Sequence, residues 1–450
     1  MLLDTQNILI SDANHGGLIL LDEYSKYTND TIYFYDTYNK LTTSMKDELK
    51  EKYMVCFVDL EYVKEHIDEF ISICPVHMKP LFRCDFTHHE FTGYLINEHK
   101  KCYGWNFPIV EITGVKGKTT TVNITCDLLS DFNVLSLTSE GLIFHKNKDD
   151  IILDTSLSIT PASIIVALNK ALDYDILDEI DFFICEVSLG ITTNTDIGVL
   201  TNILENYPIA GKTNNAANAK KTVFNAKLVV CDMMTYNQYY KDNMKDDNIT
   251  QVGLDNINSD IYTTNINYSL KKTEITINNK YQINCFALSD FYVKNILFAI
   301  AITQKLGLSW NDIKRNIKNI KSIKGRGSYK SVNDKIIFED INPGLNTTSI
   351  SKCIDNIKRY SDNYIIILGG DYGITCEEID EEKLIKYIKK LTNISIIMVG
   401  ELGRSLNTKL NNKYEHFMKL EDAYEYIISN SSYDIIQIIY RSEYNSIINY

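Results

Sequence analysis

Short, wholly apolar runs alternate with amphipathic stretches along this chain, the pattern of strands buried on both faces between covering helices. In the first such region Asn7-Ile-Leu-Ile-Ser-Asp12 predicts a strand, His15-Gly16-Gly17 a turn, and Leu18 to Tyr27 a helix. Thr31-Ile-Tyr-Phe-Tyr-Asp36 and Val55-Cys-Phe-Val-Asp59 predict further strands. In the second, Pro108-Ile-Val-Glu-Ile-Thr113, Asp181-Phe-Phe-Ile-Cys-Glu186 and Gly198-Val-Leu-Thr-Asn-Ile203 predict parallel strands. Phe291 to Leu306 predicts a buried helix stopped at Gly307. Residues 260–287 alternate apolar and polar positions around Asn278-Asn279, which predicts an antiparallel insertion turning there. In the third, Tyr364 to Gly370, Ile394 to Val399 and Asp434 to Tyr440 predict strands with helices between them. The expected fold is α/β in three domains: a Rossmann-like domain over 1–105, a central parallel-sheet domain over 106–323, and a second Rossmann-like domain over 324–450.

Composition narrows the function. A chain of 450 residues is long enough for about three domains. Its 59 acids against 46 bases, a net charge of -13, argue against a nucleic-acid binder, which needs clustered Lys and Arg. At 44% hydrophobic and 23% charged residues it is globular in character. The 10 cysteines include no C-x-x-C pair, and Cys56, Cys185 and Cys285 sit in apolar runs, so they read as small core residues of a reducing, cytoplasmic setting. Neither a transmembrane run nor a signal peptide is expected, since the opening Met1-Leu-Leu-Asp-Thr-Gln6 lacks a basic start.

The strongest chemical signal is Gly114-Val115-Lys116-Gly117-Lys118-Thr119-Thr120, between a strand and a helix. Glycines let backbone N–H groups close on phosphate oxygens, and the helix N-terminus adds partial positive charge. Lys118 is expected to reach the β- and γ-phosphates of ATP, and Thr119 to hold Mg²⁺. The general phosphate-loop pattern has a further glycine where this chain has Ile112.

The form T-G-x-x-G-K-T-T, Thr113 to Thr120, resembles the Mur ligase family, and other motifs match in order. Glu186-Val-Ser188 is similar to the family's E-x-S-S, Thr201-Asn202-Ile203 to its T-N-I, and Ala219-Lys220-x-x-x-Phe224 to its A-K-x-x-x-[FY]. Asn295 falls in a segment resembling H-N-x-x-N, with Phe291 and Tyr292 replacing the first two residues. Gly325-Arg326-Gly327, Asp340-Ile-Asn-Pro343 and Leu368-Gly-Gly-Asp371 resemble the hinge, ribose and third-domain motifs. The resemblance implies a three-domain ligase that turns a carboxylate into an acyl phosphate with ATP. It implies Mg²⁺ held by Thr119, Glu186 and, in carbamylated form, Lys220, and nucleotide contacts from Asn295, Arg326 and Asp340. A lone helical lysine such as Lys220 would otherwise be solvated. After T-N-I the family's D-H is replaced by Leu204-Glu205-Asn206-Tyr207, so the acceptor side differs from that of a peptidoglycan ligase.

Seven of the 8 histidines precede residue 146. His15-Gly-Gly, Cys74-Pro-Val-His77 and Thr87-His88-His89-Glu90 form compact motifs, suited to proton transfer or polar ligand contact. His66 and His99 read as ordinary surface or core residues, and no spacing matches a zinc site. Tyr33, Phe34, Tyr35 and Phe86 are apolar-wall or core candidates. Together the three histidine motifs resemble the branch of the family that closes a carbocyclic ring on a nickel tetrapyrrole polycarboxylate. That resemblance implies a small-molecule substrate and a general base among His15, His77, His88 and His89. An amide-forming ligase of pseudomurein peptide synthesis, or a non-catalytic nucleotide-binding homologue, are the alternatives. Neither nucleic acid nor membrane is an expected partner.

Overall fold

The first sheet has five parallel strands, in spatial order Val55–Phe57, Ile32–Tyr35, Asn7–Ser11, Phe70–Cys74 and Phe86–Thr87. The chain therefore starts in the middle, builds outward on one side, then crosses to the other. The carboxyl ends of Asn7–Ser11 and Phe70–Cys74 flank the resulting switch point, where parallel α/β sheets leave a ligand crevice. Phe70–Cys74 is buried throughout and was not legible as a strand, because its five residues run straight into Pro75. Phe34 is fully buried core, whereas Tyr33, Tyr35 and Phe86 are partly covered. Cys56 corrects the expectation: it sits on an edge strand and is exposed, while Cys185 and Cys285 are buried.

This computed structural model describes residues 7–242, 244, 248–373, 379–392, 394–430, 432–444 and 447; the opening Met1 to Gln6 lies outside them. Two compact units form. One comprises Met1–Ile266, Ile275–Asn284 and Lys294–Ile320; the other comprises Asn267–Glu274, Cys285–Val293 and Lys321–Tyr450.

Within the first unit the strand Ile109–Thr113 lies at the centre of the middle sheet, between Phe182–Glu186 and Ile197–Leu200, all parallel. Leu228–Asp232 and Ile249–Leu254 continue the parallel order on one side, and Val134–Thr138 on the other. Two antiparallel strands, Gly141–Lys146 and Asp149–Asp154, extend the latter edge. The insertion is only partly antiparallel: Ile261–Asn267 pairs in parallel with Ile249–Leu254. Its turn is the expected one. Asn278 and Asn279 adopt φ of 51° and 54°, and Lys280 N–H bonds to the Ile277 carbonyl, as a type I′ turn requires. One apolar core joins the first and middle sheets: Leu20, Leu21, Phe91 and Leu95 share it with Ile164, Leu168 and Phe183. Burial of each such side chain stabilises by about 1.5–3 kcal/mol, so these sheets form one packed body.

The second unit holds a six-stranded sheet ordered Arg326–Val332, Lys335–Ile341, Ile435–Arg441, Tyr364–Gly370, Ser395–Val399 and Glu415–Phe417. Its first pair is antiparallel and the rest parallel. Separate apolar clusters cover its two faces, one with Ile367, Leu420 and Ile438, the other with Leu368, Leu384 and Leu402. Among the described residues no helix is long and apolar enough to cross a membrane.

Candidate active site

Three adjacent parallel strands bring the phosphate-loop residues together. The loop leaves the carboxyl end of Ile109–Thr113, Glu186 ends one neighbour, and Thr201-Asn202 follows the other. Gly117 has φ of +86° and caps the helix Lys118–Leu128. A Cβ there would stand 2.4 Å from Asn295 Oδ1, and one on Gly114 would stand 2.0 Å from Thr201 Oγ1. The loop is therefore packed from both sides. Thr201 Oγ1 and Asn202 Nδ2 donate to the Lys116 carbonyl at 2.7 and 2.9 Å, and Lys116 N–H donates to Asn202 Oδ1 at 3.1 Å. Val115 N–H donates to the Asn202 carbonyl, and its side chain is buried. The T-N-I motif thus acts as a clamp on the loop, a role that its sequence alone does not disclose.

Thr119 Oγ1 donates to Glu186 Oε2 at 2.6 Å, and Lys118 Nζ lies 3.5 Å from Glu186 Oε1. Glu186 is 3% exposed, so its carboxylate is held by these partners and not by bulk water. Thr120 turns into the core. Asn295 accepts from Thr121 Oγ1 at 3.4 Å and presses on Gly117. Lys220 is not solvated: it is 1% exposed, with Nζ 3.5 Å from Thr113 Oγ1. Arg326 and Asp340 belong to the second unit, paired across its antiparallel strands. Burial pushes the Asp340 carboxyl up, although Gln437 Nε2 donates to it at 2.9 Å.

The histidine motifs meet at the switch point of the first sheet. His15 follows Asn7–Ser11 and His77 follows Phe70–Cys74. Between them stands Asp12, which sequence reading missed; its signal was an acid three residues before His15 at a strand end. The Asp12 carboxylate is 1% exposed, with Oδ2 2.6 Å from His15 Nδ1 and 3.6 Å from His77 Nε2. Burial acts to raise this carboxyl, but the hydrogen bonds from His15 and from Asn14 N–H, with the His77 ring close by, outweigh it and hold it well below the usual range. Asp12 has φ of 74°, an uncommon conformation for a non-glycine residue. Gly17 makes it feasible, because a Cβ there would stand 2.0 Å from the Asp12 carbonyl.

His88 and His89 open the helix His88–Tyr103, capped by Thr87 with Glu90 reaching back. Both are buried. His88 Nε2 lies 2.9 Å from the Ser11 carbonyl and Nδ1 3.3 Å from the His15 carbonyl. His89 Nε2 lies 3.0 Å from the Ser188 carbonyl, and its Nδ1 has no hydrogen-bond partner. Burial pushes each ring down to about 4, which favours the neutral form. Lys220 adds to the lowering at His89, which places the buried lysine near that ring. His66 pairs with Glu69 at the surface, and His99 accepts from Trp105 Nε1 in the core.

Comparison with known proteins gives the family. Residues 112–303 match the Mur ligase middle domain, and residues 329–443 match the coenzyme F(430) synthetase CfbE, C-terminal domain. The chain is 32% identical to a coenzyme F(430) synthetase of Methanocaldococcus jannaschii, over 90% of this chain and 94% of that one. It is 26% identical to a second, from Methanosarcina acetivorans, over 88% and 90%. In fold it is similar to MurF from Acinetobacter baumannii, with a TM-score of 0.61 and 13% identity over 98% of this chain and 92% of that one. MurF from Thermotoga maritima in complex with ADP gives a TM-score of 0.58 at 12% identity, over 97% and 94%. The chain belongs to the coenzyme F(430) synthetase branch of the Mur ligase family.

Proposed function

We propose that this protein is an ATP-dependent, ADP-forming ligase that closes the carbocyclic ring of coenzyme F(430). The substrate is seco-F(430) acid, a nickel tetrapyrrole carrying several carboxylates. The observation that carries this reading is the hydrogen bond between His89 and the Ser188 carbonyl. Ser188 lies two residues past Glu186, so the histidine-lined crevice and the phosphate loop meet on one strand end.

In this reading a propionate carboxylate attacks the γ-phosphorus of ATP, ADP leaves, and the acyl phosphate is then attacked by a ring carbon. Phosphate departs, and a histidine takes the proton from that carbon. Lys118 and the loop N–H groups hold the phosphoryl oxygens as their negative charge spreads, and Asn295 serves the nucleotide; Arg326 and Asp340 are assigned to the nucleotide by motif resemblance alone. Thr119 and Glu186 offer hard oxygen donors 2.6 Å apart, a set that fits Mg²⁺. When bound, Mg²⁺ supplies charge neutralisation on the β- and γ-phosphates. Lys220, buried with Nζ 3.5 Å from Thr113 Oγ1 at the end of the strand that leads into the loop, joins it as a carbamate. We assign the segments 1–105, 106–323 and 324–450 to substrate binding, ATP binding and ligation, and the reaction to the cytoplasm.

The test is direct. Purified protein with seco-F(430) acid, ATP and Mg²⁺ should release one ADP per ring closed, read as loss of the mass of one water from the tetrapyrrole. ADP release only with an amino acid and a nucleotide-linked acid would instead identify an amide-forming ligase.

A further inference from the structure

We propose that Asp12, His15 and His77 form the proton-accepting centre for carbon–carbon bond formation, with His15 as the base and the buried Asp12 carboxylate and His77 positioning it. This assignment rests on the ring-closing reading and goes beyond it by choosing among four histidines.

Tautomers decide the choice. The rings of His88 and His89 each direct Nε2 at a backbone carbonyl at hydrogen-bond distance, so the N–H sits there and is committed to packing. His88 has its other nitrogen turned toward a second carbonyl, that of His15. The remaining nitrogen of His89 is enclosed in the protein. His15 is arranged the opposite way. Its Nδ1 faces Asp12 Oδ2 at 2.6 Å and must carry the hydrogen, which leaves the Nε2 lone pair free to accept. Its side chain is 40% exposed, whereas the Asp12 carboxylate is 1% exposed. A buried acid behind a half-open imidazole is the arrangement of a base oriented from its far side.

His77 completes the clamp. Its ring meets that of His15 edge to face at 3.8 Å, and its Nε2 lies 3.6 Å from the same carboxylate oxygen. The short contact with Asp12 on one side and the His77 ring on the other leave His15 little freedom to turn. The other titratable groups around the cluster are His88, which contacts the His15 backbone, Tyr38, which senses the Asp12 charge, and His89, which senses His77. The position in the fold supplies an independent argument. The cluster occupies the crevice at the carboxyl ends of the two strands where the sheet order reverses, the place where such sheets take ligands.

The chemistry balances without a further reactant. The new carbon–carbon bond forms as the acyl carbon–oxygen bond to phosphate breaks. Phosphate leaves with that electron pair, and the proton on the attacking ring carbon passes to His15 Nε2.

The experiment separates the two half-reactions. Acyl phosphate is trapped with hydroxylamine as the hydroxamate, and ring closure is followed by mass and visible absorbance. In His15→Gln and Asp12→Asn, hydroxamate formation should stay within about threefold of the native protein while ring closure falls about 10²–10⁴-fold. Added imidazole should restore ring closure in His15→Ala but not in Asp12→Asn, where the ring is present and misoriented. His15 is half exposed, so its variants keep the fold even if Asp12→Asn does not. Ring closure near the native rate in His15→Gln would overturn the assignment, as would a parallel fall of hydroxamate and ring closure. The three donor atoms lie within 4.8 Å of one another, so a divalent metal that co-purifies at one per chain and is lost in Asp12→Asn would also overturn it. Native protein that forms neither hydroxamate nor closed ring from seco-F(430) acid would instead sink the ligase reading itself.

Discussion

His89 Nε2 lies 3.0 Å from the carbonyl of Ser188, across a sequence separation of 99 residues. This bond ties the helix that follows the first sheet to the strand end that carries Glu186. His89→Ala would leave a buried carbonyl without its donor, which costs about 1–3 kcal/mol. The expected result is a lower unfolding midpoint, with kcat/KM for the tetrapyrrole reduced about tenfold or more and ATP affinity within about twofold of the native value. Equal losses for both substrates, measured by titration and initial rates, would show that the bond does not serve the crevice in particular.

Lys118 Nζ lies 3.5 Å from one oxygen of Glu186, and Thr119 Oγ1 donates to the other. Lys118→Ala removes the cation that meets the phosphates and leaves a buried carboxylate with one partner fewer. ADP release is expected to fall by about 10²-fold or more, since donors aimed at developing charge act in a site with little water. Glu186→Gln keeps the shape and removes the charge. It should raise the Mg²⁺ concentration needed for half-maximal rate, a dependence that a magnesium titration reads directly.

Gly117 tests the loop by shape alone. Alanine there must adopt φ of +86° and place its Cβ 2.4 Å from Asn295 Oδ1. The helix start and Asn295 cannot both stay in place. Gly117→Ala should abolish measurable ATP binding while the sheet of the second unit melts as before. Retained binding in Gly117→Ala/Asn295→Ala would identify the Asn295 contact, and not the positive φ, as the obstacle.

The phosphate loop was legible because its chemistry is local: seven consecutive residues supply glycines, lysine and hydroxyls at one strand–helix junction. The strand Phe182–Glu186 was legible for the same reason, an apolar run ending in an acid. Asp12 was not, since a strand-end aspartate is ordinary until the fold brings His77 to it across 65 residues. The burial of Lys220 was not legible from its residue type, because 1% exposure depends on packing that no short window contains; only the motif around it pointed to a site. The same limit hid Phe70–Cys74, whose five residues carry no period to distinguish strand from helix. What the histidines do is decided by which nitrogen meets which carbonyl, a tertiary fact.

His88 gives the fold a dependence on acid whose sign follows from its burial. Burial holds the ring down to about 4, while in the unfolded chain it titrates near about 6.5. Above that higher value both states are neutral and the burial costs nothing. As pH falls below it, the unfolded chain takes up a proton that the folded chain refuses, so stability declines by about 1.4 kcal/mol per pH unit for each such ring. The decline ends near pH 4, where the folded ring protonates as well. His89 behaves alike, so the two together should roughly double the slope between pH 6 and pH 4.5. His88→Gln should begin less stable at pH 7, since the Ser11 carbonyl then relies on a longer and more flexible donor, and should lose stability about half as steeply. Both tryptophans, Trp105 and Trp310, lie in the first unit with these histidines, so fluorescence-detected urea unfolding reports on the relevant body. Equal slopes in the native and variant proteins would mean that His88 is protonated in the folded state, and that its contacts to the Ser11 and His15 carbonyls are those of an imidazolium.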